Sequence, residues 1–192
     1  MVKKIVFDIE TKNTFYEIES NNPADLEISL VGIYDFADNS YHSYLENEFG
    51  KLWSRIENTD ILIGYNSDHF DIPLLNSYYP GDLSTLKSID LLREIKNKIG
   101  RRVKLDDVAR ATLGKKKSAH GLQAVSWWKA GEIEKIRKYC LEDVRITKSI
   151  YDHAIANGHL KYSEGSKIHT VPIETSDWET KNNNAMTHTL PI

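Results

Sequence analysis

Four carboxylates stand in three short segments that lie far apart along the chain. Asp8 and Glu10 occur in Phe7-Asp8-Ile9-Glu10-Thr11, Asp71 closes Asn66-Ser67-Asp68-His69-Phe70-Asp71, and Asp143 closes Tyr139-Cys140-Leu141-Glu142-Asp143. Hard divalent cations such as magnesium take oxygen ligands in near-octahedral geometry, and carboxylates from separate elements suit two such ions. Two ions about 3.5–4 Å apart clamp the attacking and leaving oxygens of an in-line phosphoryl displacement. The chemistry these residues imply is metal-dependent phosphodiester cleavage.

Each motif also has a plainer reading. Asp8 and Glu10 are two apart after an apolar run, so strand periodicity places both side chains on one side, within reach of one metal pair. The same pattern is common at solvated strand ends. Asp71 lies two residues before Pro73, where an acid capping a helix N-terminus would sit, and Asn66 suits a turn. Tyr139 and Asp143 are four apart, neighbours on one helix face with Cβ atoms roughly 5–6 Å apart. A phenol there can orient water beside a carboxylate, or simply pack while Asp143 pairs with a cation. The three motifs in order, at these separations, are far more specific than any one of them.

The elements that must position these groups follow from periodicity. Lys3 to Phe7 predicts a buried strand, Ile28 to Phe36 and Tyr41 to Leu45 a hairpin, and Asp60 to Tyr65 a further strand. A helix is expected over Phe49 to Ile56, and another from Ile72 to Tyr78 with Pro73 in its first turn. Leu86 to Ile89 reads as a fifth strand. Helices follow over Leu91 to Ile99 and Leu105 to Leu113, closed by Gly100 and Gly114, then over Gly121 to Lys129 and Glu132 to Ala156. His159 to Tyr162 and Lys167 to Val171 predict a second hairpin. The order implies an α/β domain over residues 1–155, with a mixed sheet of about five strands, an antiparallel hairpin and then parallel strands, flanked by helices. Residues 156–173 would form a hairpin packed on it, and residues 174–192 a polar, loosely attached tail.

Composition narrows the class. With 192 residues, 40% hydrophobic and 28% charged, the chain is expected to be a soluble globular domain. No apolar run approaches the roughly 20 residues of a spanning helix, and the N-terminus lacks a signal peptide's apolar region. One cysteine, Cys140, excludes an internal disulfide and a cysteine-based zinc site, so a reducing cytoplasm is the expected location. A net charge of −3 is unusual for a nucleic-acid enzyme, but part of that acidity sits in the carboxylates that metals would neutralise. Lys115-Lys116-Lys117, Arg101-Arg102 and Lys104 offer phosphate contacts or solvated loop charges, and Trp127-Trp128 a stacking face of which at least one ring should be core.

Phe7-Asp8-Ile9-Glu10-Thr11, Asn66-x-x-x-Phe70-Asp71 and Tyr139-x-x-x-Asp143 resemble the three motifs of the DEDD superfamily of 3′–5′ exonucleases, with an RNase H-like fold. The second motif is similar to that of family-B DNA polymerase proofreading domains. The tyrosine spacing resembles the DEDDy subclass; the histidine subclass would need His where Lys138 stands. Leu105 to Gly114 and His120-Gly121-Leu122 look like the connecting helices of stand-alone, YprB-like members. The resemblance implies that Asp8, Glu10, Asp71 and Asp143 bind two Mg²⁺ or Mn²⁺ ions and that Tyr139 positions the nucleophilic water. It also implies that Thr11, Asn66 and Phe70 line the pocket for a terminal nucleotide. Single-stranded DNA or RNA 3′ ends would be the substrate, DNA favoured, released as nucleoside 5′-monophosphates, with a helicase, polymerase or other repair partner supplied in trans. Two other functions fit the same residues: a catalytically silent nucleic-acid-binding domain, and a structure-specific endonuclease.

Overall fold

Apolar residues alternate along the strand β1 (Lys4–Thr11), and that alternation divides the molecule into two cores. The computed structural model describes residues 2–114 and 122–180. In it β1 is the central strand, with Ile5, Phe7 and Ile9 buried on one face and Val6 on the other. Around it lie β2 (Ile28–Asp35), β3 (Ser40–Tyr44), β4 (Ile61–Gly64) and β5 (Lys87–Asp90). Among the described residues these five form one sheet in the order β3-β2-β1-β4-β5. β2 runs antiparallel to β1, with Ile5 opposite Asp35 and Asp8 opposite Gly32, and the register slips between Glu10 and Thr11. β4 is parallel to β1 from Lys4–Ile61 to Val6–Ile63, and β5 is parallel to β4. The architecture is the mixed α/β sheet that the sequence implies.

Helices cover both faces. On the face of Ile5, Phe7 and Ile9 lie α1 (Phe49–Ile56) and α2 (Asp71–Asn76). α1 buries Phe49, Leu52 and Ile56 on one stripe, and a fully buried side chain of this size is worth about 1.5–3 kcal/mol. The opposite face takes α3 (Leu91–Ile99), α4 (Leu105–Leu113) and the long α6 (Ile133–Asn157), whose Val144, Ile146 and Ile150 pack in the same core as Val6. α5 (Leu122–Lys129) leans on α6. α3 and α4 end at Gly100 and Gly114 in left-handed caps, at the bounds expected from the sequence. A hairpin of β6 (His159–Glu164) and β7 (Lys167–Pro172) packs against α4.

Three differences from the sequence reading have physical causes. β1 continues four residues beyond Phe7, because pairing with β2 carries the polar residues Asp8 and Glu10 inside the strand. α2 begins at Asp71 rather than Ile72 and ends at Asn76. Residues 174–180 are not loosely attached. Trp178 is buried and stacks on Tyr151 at a centroid distance of 5.6 Å, the Tyr151 hydroxyl donates to Glu179 at 2.6 Å, and Glu179 also pairs with Lys4. One aromatic docked in a waiting surface outweighs the polarity of its neighbours. Residues 181–192 lie outside the described residues, as do the Lys115-Lys116-Lys117 run and most of His120-Gly121-Leu122.

Candidate active site

The parity of β1 decides which helix the first two carboxylates meet. Asp8 and Glu10 share the face of Val6 and look toward α6. There the Cys140 thiol donates to the Asp8 carbonyl oxygen at 3.4 Å, and the ligand atoms of Asp8, Glu10 and Cys140 all lie within 4.8 Å of one another. An approach this close depends on Gly32, the β2 partner of Asp8. A Cβ built at Gly32 would stand 2.7 Å from Cys140 Sγ, 3.2 Å from Val144 Cγ2 and 3.4 Å from Leu141 Cδ2. α6 therefore rests on a strand surface hollowed by one missing methyl.

That seating brings Tyr139 and Asp143, one helical turn apart, into the same space, and each is buried to 4% exposure. The edge of Trp127 packs against the Tyr139 ring at 5.8 Å, whereas Trp128 lies under the Lys12 ammonium at 5.5 Å. Both tryptophans are half-buried and pack against the small core of Leu30, Ile136 and Cys140. Burial pushes the Cys140 thiol well up, and the charges of Asp8, Glu10 and Asp143 push it further. It stays protonated, a neutral hydrogen-bond donor among acids.

Asp71 reaches the same place from the opposite core. The β1–β4 ladder ends at Val6–Ile63, so the amide of Ile9 lies past the end of β4, and the Asp71 carboxylate accepts from it at 3.1 Å. Phe70, not Asp71, holds the N-cap position of α2, and no side chain caps that end. The capping expected for Asp71 is thus replaced by a tie between α2 and β1. Burial raises the Asp71 carboxyl to about 7, the charge of Asp90 adds to the rise, and two backbone N–H groups oppose it.

The turn that carries the second motif is strained and held from below. Asn66 adopts φ +65°, a left-handed conformation that costs a non-glycine residue of order 1–3 kcal/mol. Gly64 permits the reversal, since a Cβ there would fall 2.4 Å from that of Ser67. Asp90 accepts from the amides of Asn66 at 2.8 Å and Asp68 at 3.2 Å, and caps α3 through the amides of Leu92 and Arg93. Arg102 donates to the Asn66 side-chain oxygen, and the Tyr65 hydroxyl donates to the Val103 carbonyl at 2.7 Å, fixing the segment that carries Arg102.

These elements enclose a cleft of about 630 Å³. Its wall holds Asp8, Glu10, Asp71 and Asp143, and beside them Tyr139, Thr11, Asn66 and Phe70, so every site residue singled out in the sequence meets there. Phe15 completes it, edge-on to Phe70 at 6.0 Å. Phe15 escaped the sequence reading because it sits in a polar loop with no periodicity. Gly32 escaped because its neighbour is 108 positions away at Cys140, inside a motif read only for Tyr139 and Asp143. His69, inside the second motif, is exposed and lines a separate groove. The donor set fits a hard divalent cation: oxygen donors dominate, Cys140 is held as a thiol, and without a cation Asp71 is driven toward its protonated form.

Residues 5–155 match the model of a family described as the RNase H superfamily. No curated protein matches the chain. The fold is similar to that of a family B DNA polymerase from the hyperthermophilic archaeon Pyrobaculum calidifontis, with a TM-score of 0.61 and 17% identity. That likeness covers 81% of this chain and 25% of the polymerase, so the chain spans about a quarter of that protein's length.

Proposed function

Because the chain belongs to the RNase H superfamily, we propose that its acidic cleft hydrolyses phosphodiester bonds as a metal-dependent 3′–5′ exonuclease of the DEDDy kind. The observation that supports this most directly is the meeting of Asp8, Glu10, Asp71, Asp143 and Tyr139 in one cleft from three elements, β1, α2 and α6. Asp8, Glu10, Asp71 and Asp143 would hold two Mg²⁺ or Mn²⁺ ions. Bound there, such ions supply charge neutralisation for the reacting phosphate and make water more acidic.

The protein's own groups account for the rest. The Tyr139 hydroxyl, one turn from Asp143, would orient the attacking water, and its ring packs against Trp127. Phe70 and Phe15 form an edge-on aromatic wall that suits a nucleobase face, while Asn66 and Thr11 offer polar groups to the sugar. A cleft of about 630 Å³ has room for a nucleotide at the four carboxylates. We take single-stranded DNA or RNA 3′ ends as the substrate and nucleoside 5′-monophosphates as the product.

The test uses 5′-labelled single strands and a circular single strand with Mg²⁺ or Mn²⁺. Stepwise shortening of the linear strand, an intact circle, and loss of both metal-dependent shortening and product in Asp8→Ala are the expected outcomes. Cutting of the circle would assign endonuclease activity instead. Hydrolysis unchanged in Asp8→Ala would remove the cleft from the chemistry.

A further inference from the structure

Two further cavities adjoin the cleft, and their charges differ. One, of about 640 Å³, is reached across Phe15 and Tyr16 and is walled by Glu17 and Glu19. The other, of about 380 Å³, shares Asn66 with the cleft and runs along α3 past Arg93, Lys96 and Arg102. In the first, Glu17 is paired with Lys129 and Glu19 adds a further negative charge, whereas the second carries three cations, so a polyphosphate strand leaving the cleft is drawn more strongly to the second.

The acids in the second groove are already engaged. Asp68 pairs with Arg93 and accepts the Ser88 hydroxyl, and Asp90 accepts four backbone amides. Arg93 is spent on Asp68 and on Glu94 at 3.7 Å. Lys96 and Arg102 remain as exposed cations lining the groove. Arg102 uses part of its fork on Asn66, and a guanidinium has five N–H donors to share. Its link to Asn66 places it where the cleft opens into the groove, and Tyr65 holds it there through Val103.

We propose that this groove is a phosphate subsite for the single strand upstream of its terminal nucleotide, with Lys96 and Arg102 as the phosphate contacts. It rests on the exonuclease reading and adds the route of the strand: over Asn66 and along α3, away from Glu17 and Glu19. Arg102 then does two things. It fixes the strained Asn66 turn, and it meets the first phosphate beyond the cleft.

The test measures binding of 5′-labelled oligothymidylates of two to eight nucleotides, with Ca²⁺ in place of Mg²⁺ to suppress hydrolysis. Wild-type affinity should rise with length. In Lys96→Gln that gain should fall about three- to tenfold for the longer strands, and the salt slope, log K against log [salt], should drop by about 0.7, as for one lost single-strand phosphate contact. Arg102→Gln should weaken every length, since it also releases Asn66, and Lys96→Arg should restore the wild-type gain. Glu17→Gln should change the length dependence little. A Lys96→Gln protein with wild-type melting temperature, length dependence and salt slope would overturn the groove and leave the exonuclease reading standing. A wild-type protein that binds none of the strands would overturn both.

Discussion

Gly32→Ala adds one methyl at the place where α6 lies against the sheet, and its consequences can be worked from distances. The new Cβ would stand 2.7 Å from Cys140 Sγ and 3.2 Å from Val144 Cγ2. Favourable contact between heavy atoms begins at about 3.5–4.0 Å, so α6 or β2 must give by roughly 1 Å. Cys140 and Val144 are both fully buried on one helix and cannot swing aside. Overpacking of this kind costs typically about 1–3 kcal/mol. Replacing glycine inside a strand returns about 0.5–1 kcal/mol of backbone entropy. The net is a loss of about 0–2.5 kcal/mol, centred on about 1 kcal/mol, or a few degrees of melting temperature at this chain length. Activity should fall much further, because the displaced helix carries Tyr139 and Asp143, and a misplacement of about 1 Å can cost about 10²-fold. Urea unfolding and Mg²⁺-dependent release of mononucleotides measure the two effects. Cys140→Ala in the same chain removes the nearest clash, so the double mutant should be more stable than additivity predicts, by about 0.5–1 kcal/mol. Wild-type stability and rate in Gly32→Ala, or strict additivity in the cycle, would refute the reasoning.

Two other outcomes follow from the same geometry. Tyr139→Phe keeps the ring against Trp127, so folding and metal binding should be unchanged while kcat falls by up to about 10²–10⁴-fold; a full kcat would take Tyr139 out of the catalytic set. The Asp71 carboxyl rises from an ordinary 3.8 to about 7 on folding, so the folded metal-free protein keeps a proton that the unfolded chain has lost. Its stability should therefore decline as pH rises from about 4 to 7, and Asp71→Asn should remove much of that decline. Millimolar Mg²⁺ or Mn²⁺ should offset the loss above pH 7 by binding only the folded state. Melting curves across pH with and without metal would contradict this if the wild type and Asp71→Asn ran parallel.

What the sequence made legible was whatever depends on local period. The strand alternation of β1, the helical stripe of α1 and the glycine ends of α3 and α4 are short-range patterns, and the structure places them within a few residues. Asp8, Glu10, Asp71, Asp143 and Tyr139 were singled out by three motifs taken together and by the resemblance they carry, and the structure lines one cleft with them. Long-range contacts were not. Nothing around Asp90 announces that it holds the Asn66 turn 24 residues away, and nothing around Trp178 announces the Tyr151 ring. The Asp71 side chain shows the difference most sharply. Its sequence context suggested a helix cap, and only the early end of β4 leaves the Ile9 amide for it to take.

The site joins two cores that would otherwise be separate. Asp71 hangs from the α1/α2 side and takes its hydrogen bond from β1, while Asp143 and Tyr139 hang from α6 and are brought in by the hollow at Gly32. Carboxylates held at such depth are unfavourable, as the rise at Asp71 records, caused by burial first and by the charge of Asp90 second. The packing on either side must therefore be strong enough to hold them, and it is: β1 is buried between two apolar layers, each of several fully buried aliphatic side chains worth about 1.5–3 kcal/mol apiece. Rigid positioning of charges that repel is what a cation can relieve without moving anything. A flexible cleft would relax the carboxylates apart instead and lose the cation's grip. That is why the glycine beneath α6, which touches no substrate in the proposed reaction, should still matter to catalysis through the groups it brings together.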